Sequence, residues 1–199
     1  MSKDREKSDY GFKITILGGG GVGKTCLFNR YCFNSFSFNT LMTIGINFHS
    51  TKLEVFAQLS NNHSKEFTVI NSIFDFGGQE RFKTLIPKFL DGTSGALLVF
   101  DISSFASFQQ LEYWYELLAE NVNSRIPKIL VGSKCDLIEK VPNAQIVNEN
   151  LIQNFVREKN LDGYYPTSAL ENINVLKVFK EITRLMLKTN QNIEKIRFI

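Results

Sequence analysis

Gly18-Gly19-Gly20-Gly21-Val22-Gly23-Lys24-Thr25 decides the fold. The stretch fits the pattern glycine, any four residues, Gly-Lys-Ser/Thr. Before it, the β-branched run Ile14-Thr15-Ile16-Leu17 reads as a strand; after it, Cys26-Leu27-Phe28-Asn29-Arg30-Tyr31 reads as a helix. Glycines let a backbone fold tightly over a phosphate, so that several N–H groups point inward as an anion nest. The helix N-terminus behind the loop adds its partial positive charge. Lys24 can then reach the outer phosphates, and the Thr25 hydroxyl can ligate Mg²⁺. The plain alternative is a flexible Gly-rich turn, and the strand and helix on either side argue against it.

Working outward, 199 residues with 43% apolar content suit one α/β domain with a sizeable core. The net charge is +3, with basic and acidic residues interspersed, which gives nucleic-acid binding little support. Cys26, Cys32 and Cys135 form no CxxC pair and no metal spacing, as expected of a reduced, cytoplasmic protein. No apolar run approaches a membrane span, and the charged Met1–Phe12 stretch is no signal peptide.

Strands are expected at Phe12–Leu17, Ile44–Ala57, Glu66–Asp75, Gly95–Phe100 and Lys128–Gly132, with a last one before Thr167. The second and third should form an antiparallel hairpin around the turn-rich Ser60–Ser64. Helical faces are expected from Phe108, Leu111, Tyr115 and Leu118, from Val147, Leu151 and Phe155, and from Val175, Phe179, Ile182 and Met186. Pro142 suits the first turn of the middle helix. The expectation is a doubly wound, mostly parallel sheet of about six strands with one antiparallel hairpin strand, and ligand loops at the carboxyl ends of the strands. Residues 1–11 are expected to be a flexible lead, 12–188 the domain and 189–199 a tail.

Those carboxyl ends carry chemistry. In Asp75-Phe76-Gly77-Gly78-Gln79-Glu80, an Asp closing a strand beside the phosphate loop can hold Mg²⁺, Gly78 offers an N–H to a γ-phosphate, and Gln79 can orient a water. Asp-x-x-Gly alone is an ordinary turn; one strand downstream of a phosphate loop it gains meaning. In Ser133-Lys134-Cys135-Asp136, the Asp136 carboxylate only accepts hydrogen bonds. Guanine presents two donors on one edge where adenine presents an acceptor and a bare C–H, so a carboxylate there selects guanine. The aliphatic stem of Lys134 can cover the base face. Thr167-Ser168-Ala169 stands where a backbone N–H can reach the guanine carbonyl.

In order and spacing, GGGGVGKT, TIGINF (Thr43–Phe48), DFGGQERF (Asp75–Phe82), SKCDL (Ser133–Leu137) and TSA (Thr167–Ala169) resemble a small GTPase of the Ras superfamily, most closely its Rab branch. The likeness runs from Phe12 to Lys188. It implies a GTP/GDP-binding switch of the kind found in signalling and vesicle trafficking, with slow Mg²⁺-dependent hydrolysis of GTP to GDP and phosphate. It implies that Gly18, Gly20, Gly21, Val22, Gly23 and Lys24 wrap the phosphates beside Cys26. It also implies that Thr25, Thr43 and Asp75 serve the metal, and that Phe36 packs on the guanine. Gly78 would sense the γ-phosphate, and Gln79, with Lys24 and Thr43, would serve hydrolysis. Ser133, Lys134, Asp136, Ser168 and Ala169 would hold the base. A side chain at Gly20 would crowd Gln79 and an arginine supplied by a partner. The resemblance further implies an exchange factor, an activator and an effector at the switch segments.

The sequence also departs from that pattern. Ser133 stands where the family has Asn, Phe76-Gly77 where it has Thr-Ala, Leu170 where a Lys is usual, and Thr40 where a Tyr is common. The hairpin is longer than usual and is expected to offer partner surface, with its Phe56–Phe67 end dispensable for folding and nucleotide binding. No cysteine follows Cys135 and residue 2 is Ser, so no lipid anchor is evident, and any membrane contact is expected through a partner. A second reading stays open at this stage: a guanine-nucleotide-binding module that never hydrolyses and remains in one nucleotide state.

Overall fold

A computed structural model describes residues 8–38, 43, 45–59, 64–78, 85–122, 125–142, 145–190 and 193–199. Its strands are β1 (Ser8–Leu17), β2 (Ile46–Leu59), β3 (Ser64–Phe76), β4 (Gly95–Asp101), β5 (Lys128–Ser133), β6 (Tyr164–Pro166) and β7 (Ile193–Phe198). Its α-helices are α1 (Lys24–Phe33), α2 (Phe105–Gln109), α3 (Leu111–Asn121), α4 (Glu149–Glu158) and α5 (Val175–Asn190). The strands form one sheet in the order β6-β5-β4-β1-β3-β2-β7. β1 pairs in parallel with β3 and β4, and β5 joins β4 and β6 in parallel. β2 is antiparallel to both β3 and β7. The expected mostly parallel sheet with a hairpin is present, with seven strands in place of about six.

Burial explains the central strands. Every residue of β4 and β5 is buried, as continuous apolar runs covered on both faces should be. One face of the sheet packs Ile14, Ile16, Val99 and Val131 under α1 and α5, where Val178, Phe179, Ile182 and Met186 point inward. The other packs Leu17, Leu98, Phe100 and Leu130 against Leu111, Trp114 and Leu118 of α3 and Ile152 and Phe155 of α4. Open ends of parallel strands lie between these layers, and there the loops converge.

The structure departs from the sequence reading at several places. β1 begins at Ser8, pairing Ser8–Gly11 with Phe67–Ile70. The middle helix starts only after the Asn148 cap, whose side chain accepts from Asn150 N. Pro142 therefore lies well before its first turn, Leu151 turns outward, and Ile152 takes the core place. The stem of the hairpin is core, not surface: Val55, Ala57, Phe67 and Val69 are buried under α5 and β7. Shortening the chain from Phe56 to Phe67 would remove Ala57 and Phe67 from that core, contrary to the expectation above; Ser60–His63 lie outside the described residues.

Candidate nucleotide site

The phosphate loop takes the strand-to-helix turn with Gly21 at φ 75° and Gly23 at φ 93°, left-handed values that favour glycine. Gly18 lies against the Val99 carbonyl, where a Cβ would come within 2.1 Å of the oxygen. Val22 is buried, while Gly20 is exposed at the top of the turn. Lys24 opens α1 and is itself buried. Its ammonium donates to the Gly18 and Gly19 carbonyls at 2.8 and 2.7 Å. Burial pushes its pKa down to about 8, with the Asp75 carboxylate pulling the other way.

Oxygens gather one turn further on. Thr25 Oγ1 donates to Asp75 Oδ2 at 2.7 Å, which leaves it to accept from the Thr43 hydroxyl at 2.6 Å. Asn47 Nδ2 donates to the same carboxylate oxygen at 3.2 Å. Asp75 is buried because β3 ends alongside β1, in register with Ile16. Burial raises its pKa; Thr25, Lys24 and Asn47 oppose that rise. Its second oxygen, Oδ1, is buried without a hydrogen-bond partner among the described residues. Two hydroxyls and a carboxylate with one unsatisfied oxygen are the hard donors that Mg²⁺ takes, so these residues fit that ion.

Gly78 presses on the phosphate loop. A Cβ there would meet the Gly19 carbonyl carbon at 2.5 Å and the Gly18 carbonyl oxygen at 2.7 Å, both backbone. Just before it, Gly77 N donates to Gly45 O at 3.0 Å, so the two segments that leave the hairpin are zipped together at its mouth. Phe76, the departure at this place, is a core residue packed with Ile86 and Leu90. Gln79 and Thr40 lie outside the described residues.

Beside the loop opens a cavity of about 440 Å³, within the range of ligand sites. Gly21, Gly23, Cys26, Phe36, Ser133, Lys134, Asp136 and Ala169 line it, and Leu170 adds apolar surface in the place of the usual lysine. Asp136 Oδ1 accepts from Ser168 Oγ at 2.6 Å, and Ser168 Oγ accepts from Glu171 N at 3.1 Å, which aims the carboxylate. Lys134 sits in a left-handed conformation at φ 59°. Its ammonium reaches Asp101 Oδ2 at 2.6 Å, leaving its stem along the cavity. Ser133, at the end of β5, has its hydroxyl within hydrogen-bond reach of the Val22 carbonyl and, at 2.9 Å, of the Phe100 carbonyl. A hydroxyl carries one proton, so it serves these carbonyls in turn and has no second proton for a purine nitrogen. Ser133 therefore offers the base side no donor, while its tie to the phosphate loop is direct.

Two supporting residues escaped the sequence reading. Asp101 holds Lys134 through one oxygen and Ser103 N and Oγ through the other. Arg30, in the last turn of α1, donates Nε to Ala169 O at 2.7 Å and Nη2 to Leu170 O at 3.3 Å. Its Nη1 also donates to Asn34 O, which closes the helix. Basic residues commonly bind carbonyls at a helix end, but sequence does not say that the carbonyls belong to a loop 139 residues away.

The family model for the Ras family matches residues 13–188. The chain belongs to the Ras family. It is 32% identical over 182 residues to the Ras-related protein Rab-13 of Rattus norvegicus, covering 91% of this chain and 83% of that one. It is 34% identical over 180 residues to the Ras-related protein YPTC6 of Chlamydomonas reinhardtii, covering 90% and 77%. It is also 32% identical over 181 residues to the GTP-binding protein YPTM1 of Zea mays, covering 91% and 80%. This Ras-family chain is a Rab-like small GTPase, a GTP-binding switch of a family that hydrolyses GTP to GDP.

Proposed function

We propose that this Rab-like GTPase reads the γ-phosphate through Thr43 and Gly78, and that Gln79 orients the attacking water. The observation that carries the proposal is the hydrogen-bonded row Thr43–Thr25–Asp75, with Gly78 seated on the carbonyls of the phosphate loop. The Gly77–Gly45 bond couples the two segments at the hairpin mouth. A ligand that holds Thr43 therefore acts on Gly78 as well, which is how a small chemical difference orders two segments together. Lys24 supplies positive charge to the β- and γ-oxygens, and Asp136 with Ser168 selects guanine. Thr25, Thr43 and Asp75 would hold Mg²⁺, which would neutralise negative charge on the phosphates when bound. Exchange factor, activator and effector would meet the two segments that change, as in a switch serving vesicle traffic from the cytoplasm. Three free cysteines are in keeping with that reduced setting.

Gln79→Leu tests the hydrolytic part. It keeps similar bulk and loses the group that orients water, so single-turnover GTP hydrolysis should fall while GTP affinity stays within about twofold, the pattern of a transition-state loss. Unchanged turnover would assign the water to another residue.

A further inference from the structure

We propose that Arg30 is a positioning residue that joins the guanine loop to the hinge of the first switch segment, so that base binding and hinge movement are coupled. The proposal rests on the reading above, in which the Ala169 N–H meets the guanine carbonyl. α1 ends at Phe33, and the chain leaves it through Asn34 in a left-handed turn, φ 49° and ψ 35°. Two residues on, Phe36 lies edge-on to Phe38 at 5.0 Å, and both rings border the nucleotide cavity. Ala169 and Leu170 border the same cavity.

The Arg30 guanidinium reaches both groups. Nε and Nη2 hold the Ala169 and Leu170 carbonyls at 2.7 and 3.3 Å. Nη1 donates to the Asn34 carbonyl at 3.1 Å and to its side-chain oxygen at 3.2 Å. Among the described residues, every hydrogen bond of this side chain therefore goes to the hinge or to the guanine loop. Capping α1 does not require that: a lysine ammonium serves a helix end equally well. Only a planar guanidinium, with donors along a rigid fork, holds two loops in one fixed geometry.

The bond to Ala169 falls at a sensitive place. Ser168 N donates to Ile173 O at 3.1 Å, and Arg30 holds Ala169 O, so the Ala169 N–H lies between two fixed peptides. Hydrogen bonds from a charged donor are the strong kind, so a hinge that moves carries the guanidinium with it and frees Ala169. Coupling is reciprocal, and a base that holds Ala169 also steadies the hinge. A partner that draws the segment after Asn34 outward thus loosens guanine without touching its loop.

The test compares GDP with 6-thioguanosine diphosphate, whose sulfur is a weak acceptor at that one position, by competition against a fluorescent GDP analogue. Arg30→Lys keeps the charge and the helix cap but not the bridge. It should weaken GDP binding about five- to tenfold and thio-nucleotide binding by less than about twofold, because the coupling acts through the carbonyl. Arg30→Gln, which reaches one loop at a time, should behave alike. Amide hydrogen exchange over residues 35–38 should be faster with the thio nucleotide than with GDP in the unmodified chain, and equal with both in Arg30→Lys. Equal losses for the two nucleotides in the variants, or a hinge that still distinguishes them in Arg30→Lys, overturn the coupling and leave the guanine site standing. Equal affinity of the unmodified chain for the two nucleotides overturns the reading at Ala169, and the coupling with it.

Discussion

Asp136 and Ser133 show how single atoms set what this site accepts. Asp136 offers only acceptors: Ser168 donates to Oδ1, Lys140 Nζ lies 3.9 Å from Oδ2, and Asp136 and Lys140 line the cavity. Hydrogen bonds to a charged group are typically worth about 1.5–3 kcal/mol. Asp136→Asn should therefore weaken GDP binding about ten- to hundredfold and improve xanthosine diphosphate binding, because the amide supplies a donor to the second carbonyl. Competition titration against a fluorescent GDP analogue measures this, and comparable ATP and GTP affinity in the unmodified protein would sink the reading. Ser133 acts on the phosphate side. Ser133→Ala removes a neutral hydrogen bond to the Val22 carbonyl and should speed GDP release about two- to tenfold. Ser133→Asn should slow release by up to about tenfold by adding a donor for the purine. If neither variant changes the displacement rate under excess Mg²⁺, the Ser133 hydroxyl does not hold the phosphate loop.

At the scale of elements, the hairpin behaves as part of the sheet, gripped from both sides. Phe67 is buried beside Tyr10 and Val69, and Asn71 donates from β3 to Thr183 of α5 at 2.8 Å. Phe67→Ala should cost about 3–5 kcal/mol in urea unfolding of the GDP-loaded protein, the usual loss for a large buried aromatic. Thr183→Val keeps the shape but takes from the buried Asn71 amide one of its acceptors, with an expected cost of about 1–3 kcal/mol. Costs below about 0.5 kcal/mol in both, the range of ordinary surface substitutions, would return the stem to the role of a surface insertion. What the sequence made legible here follows from periodicity. Continuous apolar runs marked β4 and β5, and the stripe Val175, Phe179, Ile182, Met186 marked α5, because burial on two faces or one leaves those patterns directly. β7 was not legible: Ile193-Glu194-Lys195-Ile196-Arg197-Phe198 is charged, and only the open edge of β2 makes it a strand. Leu151, expected on the inward face, turns outward for a related reason. Adjacent apolar residues give a helix two possible faces, and the Asn148 cap, not the pattern, fixed which one turned inward.

Across the whole molecule, the switch rests on bringing together loops that are far apart in sequence: residues 18–25, 43, 75–78, 133–136 and 167–169. Motif spacing identified these loops because all but the one holding Thr43 follow a strand whose carboxyl end must lie on the same side of a parallel sheet. The ties between them were hidden. Arg30 to Ala169, Lys134 to Asp101 and Gly77 to Gly45 depend on the fold and leave no local pattern. The central claim is that these loops form a guanine-nucleotide switch that turns over. Its most direct test is to load the purified protein with radiolabelled GTP and follow phosphate release in a single turnover, with Mg²⁺ and with chelator. The account predicts slow, complete conversion to bound GDP with Mg²⁺ and little or none in chelator. GTP that stays intact on the protein with Mg²⁺ present, or failure to retain guanine nucleotide at all, would contradict it.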